Sequence, residues 1–215
     1  MTPAILALML GGSGLMVGGL SGWMSVNLPH GERHARAAPR RYGLMGLAAA
    51  AIGVWSGLAQ PTPLAGALTA LLGWQLLLIA VIDAEHFRLP DRLTLPLLAT
   101  GGVAAILLDH TAPVDAVIGA AVGFGGLWLL AFGYSRLRGR DGLGDGDPVL
   151  LAAGGAWVGW TGLPSVLLWA SVAGLSVVTA RLLVEGKVSG DDRLPFGPCL
   201  AVGIWLTWLI GPLGL

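Results

Sequence analysis

The apolar positions of this chain come in long blocks, with little of the strict alternation that marks strands. Most blocks approach the 17–25 or so residues that a helix needs to cross a bilayer, and short polar stretches separate them. The pattern predicts spanning helices over 3–26, 42–58, 64–82, 93–108, 114–134, 148–160, 165–183 and 196–210. The sixth block is short, so part of the acidic stretch ahead of it is expected to continue its helix. Turns are expected at Gln60-Pro61-Thr62-Pro63, at 109–113 and at Thr161-Gly162-Leu163-Pro164, where glycine and proline collect. The first block has no basic residue ahead of it and no clear cleavage site, so it reads as a retained span. The expected fold is all-α: a polytopic membrane protein of about eight transmembrane helices, forming a single integral membrane domain over 1–215.

Composition points the same way. Charged residues make up 11% of the chain, against about 25% in a soluble domain. The one cysteine, Cys199, excludes an internal disulfide and a thiolate-rich zinc site, and it reads as a small core residue. The 35 glycines follow no collagen-like period. Within apolar helices they predict close helix approach through small-xxx-small contacts.

Charge adds direction. With eight crossings, all 12 Lys and Arg residues fall on one side: Arg33, Arg36, Arg40, Arg41, Arg88, Arg92, Arg136, Arg138, Arg140, Arg181, Lys187 and Arg193. Cytoplasmic loops are the ones enriched in Lys and Arg, so this side is the cytoplasm and both termini face away from it. The basic clusters are too short and dispersed for nucleic-acid binding. Asp109, His110 and Asp115 fall on the opposite side and read as solvated turn residues.

Two acidic stretches share the basic side. One is Ile82-Asp83-Ala84-Glu85-His86-Phe87-Arg88-Leu89-Pro90-Asp91, between the third and fourth blocks. The other is Gly144-Asp145-Gly146-Asp147, ahead of the sixth. A carboxylate at the edge of a bilayer is a functional candidate by default. Two carboxylates held close together cannot both ionise cheaply, so one keeps a proton and the pair serves as base and acid at once. The pair Asp83–Asp147 therefore suits aspartic-protease chemistry, and glycines beside Asp147 would let a substrate backbone come close. Simpler roles also fit: Asp91 as the cap of the fourth helix, Asp145-Gly146 as an ordinary turn, Glu85 and His86 as solvated loop residues. The same acids would equally suit a proton-coupled transporter or a non-catalytic assembly protein. No metal site is expected.

These residues resemble the type IV prepilin peptidases, a family of membrane aspartic proteases. Asp83 to Asp91 and the following Arg92-Leu93-Thr94-Leu95-Pro96-Leu97 look like the family's first aspartate motif. The second motif, Gly-x-Gly-Asp, fits here in two frames, Gly142 to Asp145 and Gly144 to Asp147. The downstream Leu150-Leu151-Ala152-Ala153 and Gly155-Ala156-Trp157 select the second frame, which makes Asp147 the match and puts Asp145 at a variable position. Leu194-Pro195-Phe196-Gly197-Pro198 is similar to a further family segment. The resemblance covers about 79–215 as a peptidase core. It implies catalytic Asp83 and Asp147, with Asp91, Gly144 and Gly146 in support. It implies cleavage of the basic leader of type IV prepilins or type II secretion pseudopilins, on the cytoplasmic side of a bacterial inner membrane.

The chain departs from the family pattern in its first part. Residues 1–78 carry no cysteine-bearing insert, Asn27-Leu28-Pro29 stands where Arg-Leu-Pro is usual, and Gly46 stands where a glutamate is common. Val149 occupies a position that is commonly lysine. The early departures bear on N-methylation of the new terminus more than on peptide cleavage. S-adenosylmethionine is expected as a cofactor only if methyl transfer is retained, and no other cofactor is expected.

Overall fold

The computed structural model describes residues 2–27, 39–87, 89–139, 144–185 and 195–213. Among these every regular element is a helix: α1 (Pro3–Asn27), α2 (Pro39–Ala59), α3 (Pro63–His86), α4 (Asp91–Leu107), α5 (Pro113–Arg138), α6 (Asp147–Glu185) and α7 (Gly197–Ile210). Five of them, α1, α2, α3, α5 and α6, contain stretches long and apolar enough to cross a membrane. The protein is thus an all-helical, multi-pass membrane protein. Arg33, Arg36, Arg88, Arg140, Lys187 and Arg193 lie outside the described residues, as do Gly142, Leu143 and Leu194.

The fold comprises two compact units, Met1–Ile82 and Asp83–Leu215. In the first, α1 and α2 meet through small residues. A Cβ on Gly14 would stand 2.5 Å from the Ala49 carbonyl oxygen, and one on Gly57 would stand 2.7 Å from Ala7 Cα. Lipid tails are as apolar as leucine, so close van der Waals contact, rather than a hydrophobic driving force, holds such helices together. Trp74 of α3 donates its Nε1–H to the Ala49 carbonyl at 2.8 Å.

In the second unit α6 is central and packs against α4, α5 and α7. At about 1.5 Å per residue its 39 residues would reach ~58 Å, far beyond a bilayer core of ~30 Å. The helix breaks at Gly159, whose φ of 72° and ψ of 173° are not helical. The two limbs then run in opposite directions along α7. In the N-terminal limb Gly154 meets Ile204, and Trp157 lies edge-on to Trp208 with ring centres 5.1 Å apart. In the C-terminal limb Gly162 meets Thr207, Val166 meets Gly203, and Gly174 meets Cys199. The expected turn at Thr161–Pro164 is therefore misplaced: those residues are helical, and the chain reverses at Gly159. Pro164 sits early in the second limb, where a missing N–H is tolerated.

Trp157 anchors this arrangement. It is 1% exposed, its Nε1–H donates to the Leu97 carbonyl of α4 at 3.0 Å, and its own carbonyl accepts from Thr111 Oγ1 at 2.9 Å. On its other side the N-terminal limb touches α5 backbone to backbone, at Gly119 against Gly155 and at Gly123 against Leu151. The polar residues in and just ahead of the first turn of α5 are not merely solvated, as their polarity suggested. His110 packs edge-on against Trp208 at 4.4 Å, and Asp115 accepts from Trp160 Nε1 at 3.1 Å.

Gly159→Ala should lower stability by about 1–3 kcal/mol, because an L-residue is strained at that φ. The added Cβ would also press on Thr111 Cγ2 at 3.2 Å. Gly125→Ala, where a Cβ meets nothing within 4 Å, is the control. Thermal unfolding midpoints in detergent should separate the two variants.

Candidate active site

Asp83 sits in the last turn of α3, one turn further inside the helix than a block ending at Ile82 implies, since α3 continues to His86. Its carbonyl accepts from the Phe87 N–H at 2.8 Å, and Phe87, at φ 51°, leaves the helical conformation. The Asp83 side chain is 6% exposed. Its Oδ2 accepts from the Gly197 N–H at 2.9 Å. Gly197 is the first residue of α7, and the residue before it, Phe196, supplies no side-chain cap. Asp83 thus takes the place of a cap, putting negative charge where a helix N-terminus presents free N–H groups and a favourable dipole. A Cβ on Gly197 would stand 2.6 Å from Asp83 Oδ2, so no other residue fits there without displacing the carboxylate.

Asp147 opens α6 and is 3% exposed. Its Oδ2 accepts from the Gly144 N–H at 3.0 Å, while its own N–H donates to the Gly144 carbonyl at 3.1 Å. This reciprocal pair closes the turn. Gly146 packs so tightly on Leu89 that a Cβ there would collide with it, which ties the second acidic stretch to the first. Each acid thus holds a backbone amide, and the Gly146–Leu89 contact places the turn before Asp147 beside the stretch that follows Asp83.

The other residues singled out in the sequence are placed differently. Asp145 is exposed. Asp91 is exposed too, and it is not the cap of α4: that position is Pro90, which makes no side-chain cap bond, and Asp91 is the acid of the first turn. Its charge there still suits the dipole. Glu85 and His86 pair with each other at 3.9 Å. Among the described residues no group of three or more His, Cys, Asp or Glu is placed to hold a metal ion. A cavity of about 680 Å³ opens beside the Gly144–Asp147 turn, between Leu89–Asp91 and one face of α5.

A family model described as the type IV leader peptidase family matches residues 69–179, just over half of the chain. The chain belongs to this family. Three prepilin leader peptidase/N-methyltransferases are among its relatives. The protein of Aeromonas salmonicida strain A449 is 44% identical over 152 residues, 70% of this chain and 52% of its own length. That of Dichelobacter nodosus is 39% identical over 175 residues, 81% of this chain and 59% of its own length. That of Burkholderia pseudomallei strain 1026b is 41% identical over 181 residues, 83% of this chain and 58% of its own length. The chain thus spans little more than half the length of these curated relatives. No solved structure matches it significantly.

Within this member of the leader peptidase family, one candidate site residue escaped sequence reasoning: Gly197. Its signal was there, as a Phe-Gly-Pro run opening an apolar block, but a main-chain donor leaves no chemical mark on its own side chain.

The Gly197 amide should be protected from hydrogen exchange. In Asp83→Ala its exchange should quicken by about tenfold or more, since a hydrogen bond to a charged group is worth ~1.5–3 kcal/mol. Exchange mass spectrometry on a peptide starting near Phe196 reads this directly, and an unchanged rate would mean that the bond carries no weight.

Proposed function

We propose that this chain is a membrane aspartic endopeptidase that removes the basic leader of type IV prepilins or type II secretion pseudopilins at the cytoplasmic face of the inner membrane. The observation that carries the reading is the pair Asp83 and Asp147, both buried and each bonded to one backbone amide, with the Gly146–Leu89 contact bringing their two stretches together. Membership of the leader peptidase family supports it.

Two neighbouring carboxyls share a proton because both charges together are costly in a poorly solvated place. The ionised one takes a proton from a water, and the water oxygen bonds to the carbonyl carbon of the cleaved peptide. The protonated one gives its proton to the carbonyl oxygen. The resulting tetrahedral diol collapses when a proton passes to the amide nitrogen and the C–N bond breaks. Gly144 supports Asp147 through its N–H, and Gly146 keeps the Leu89 backbone against the turn. Asp91 borders the cavity where a substrate would lie.

The reading includes about eight membrane crossings. The reversal of α6 at Gly159 supplies the extra crossing, and the segregation of Lys and Arg supports cytoplasmic basic loops. The relatives' names add methyl transfer. The departures in the first 78 residues, which carry no cysteine-bearing insert and have Gly46 where a glutamate is common, bear on that step more than on cleavage. S-adenosylmethionine would be needed only if the step were retained.

Co-expression with a prepilin or pseudopilin tests the chemistry. Asp83→Asn and Asp147→Asn should each reduce leader removal by roughly 10²–10⁴-fold with normal membrane insertion, while Asp109→Asn should leave it unchanged. Mass spectrometry of the mature product should show an unmethylated N-terminus. Normal processing by both Asn variants would remove the dyad. For topology, single cysteines placed in 28–38 and in 60–63 of a Cys199→Ser chain should be labelled by a membrane-impermeant maleimide from opposite sides.

A further inference from the structure

A second, smaller cavity lies where α5 begins, α6 reverses and α7 ends, with His110, Asp115, Thr161 and Thr207 among its lining residues. Thr207 is ten residues, ~15 Å, along α7 from Gly197, so this cavity sits at the other end of that helix from Asp83. Its volume is about 120 Å³, well below the roughly 300–1,000 Å³ of drug-sized ligand sites, so it has room for a group of a few heavy atoms. His110 and Ala112 are exposed, which opens it to the surface. Thr207 is the informative residue. It is 1% exposed, and its Oγ1 has no hydrogen-bond partner. Other helix hydroxyls of this protein donate to the carbonyl four residues earlier: Ser56 to Ile52, Thr100 to Pro96, Ser171 to Leu167 and Ser176 to Val172. Thr207 forgoes that bond, which is costly for a buried polar atom. Thr94 and Trp169 also carry such an atom, but of the three only Thr207 lines one of the two cavities described here.

The other polar groups of the cavity have acceptor capacity to spare. Asp115 uses Oδ1 on Trp160 Nε1, which leaves Oδ2. Thr111 Oγ1 donates to the Trp157 carbonyl and keeps its lone pairs. Charge decides the sign of the occupant. No Lys or Arg occurs in 93–135, 148–180 or 194–215, the stretches that build this end of the unit, and their only acids are Asp109 and Asp115. An anion would meet Asp115 with nothing to offset it. A metal ion would find one carboxylate and one imidazole, and among the described residues no third His, Cys, Asp or Glu completes a set. A primary ammonium needs only acceptors, which carboxylate and hydroxyl oxygens supply. Val158 and Trp208 give the cavity an apolar wall for a short carbon stem.

We propose that this cavity binds a primary ammonium group on a short carbon stem, with its N–H donors on Asp115 and Thr207. Two sources present that group at a membrane surface: the ethanolamine headgroup of a phospholipid and a free amine in solution. Binding of this kind is independent of peptide cleavage.

Native mass spectrometry of the full chain, released from vesicles of equal phosphatidylethanolamine and phosphatidylcholine with the same acyl chains, tests this. The two headgroups carry the same charge, but choline has no N–H to donate. Retention of phosphatidylethanolamine should exceed that of phosphatidylcholine by about tenfold, the worth of a hydrogen bond to a charged group. The preference should vanish in Asp115→Asn, which keeps an acceptor for Trp160 Nε1, and in Thr207→Val, which keeps the side-chain shape. Asp109→Asn, outside the cavity, should retain it. Added millimolar ethanolamine, compared with choline, separates the sources. Displacement of the lipid by ethanolamine alone assigns the site to the ammonium group from either source, and retention of the lipid assigns it to the headgroup. Equal retention of the two lipids by the unmodified chain, or a preference that survives both cavity substitutions, would overturn the assignment.

Discussion

Backbone amides facing two buried carboxylates are the constraint around which the second unit is arranged. An acid in an apolar bundle is costly unless a polar partner meets it. Here the partners are the Gly197 N–H for Asp83 and the Gly144 N–H for Asp147. Each bond requires the start of one segment to stand against another: the start of α7 against the last turn of α3, and the start of α6 against its own preceding turn. The first bond draws the ends of α3 and α7 together, and the contact of Gly146 with Leu89 sets the start of α6 beside the stretch that follows α3. The amides also serve their own helices, because the start of α7 has no side-chain cap of its own.

Holding those ends in register takes a rigid scaffold, and the chain builds it from close contact. Gly119 and Gly155 bring α5 and α6 together backbone to backbone. The reversal at Gly159 lets both limbs of α6 lie along α7, so that Ile204 and Gly203 meet residues from each. Trp157 then locks the N-terminal limb to α4 and α7 with one hydrogen bond and one ring contact. Each contact restricts where Asp147 can stand.

Much of this was legible in the apolar blocks, because membrane spans announce themselves by length. The residues downstream favoured Asp147 over Asp145 as the site acid, and the structure buries the first and exposes the second. The break in α6 was not legible. Gly162 and Pro164 are louder local signals than Gly159, yet a proline early in a helix disturbs little, and a lone glycine breaks the helix where tertiary contacts require it. Asp91 was misread as a cap because Asp favours that position, while the chain gives it to Pro90. The partners of Asp83, His110 and Asp115 were illegible for a common reason: each lies far along the chain, and local pattern carries no distance.

The donors to both acids are main-chain atoms, and this decides how the site can be taken apart. Truncating a side chain to alanine deletes a group, and here there is no group to delete. A scan that shortens residues would pass over Gly144 and Gly197 or score them as substitutions of no chemical consequence. The only way to remove these two donors by mutation is to add atoms. Sensitivity to bulk at a residue without a side chain is therefore the signature by which this half of the site would show itself.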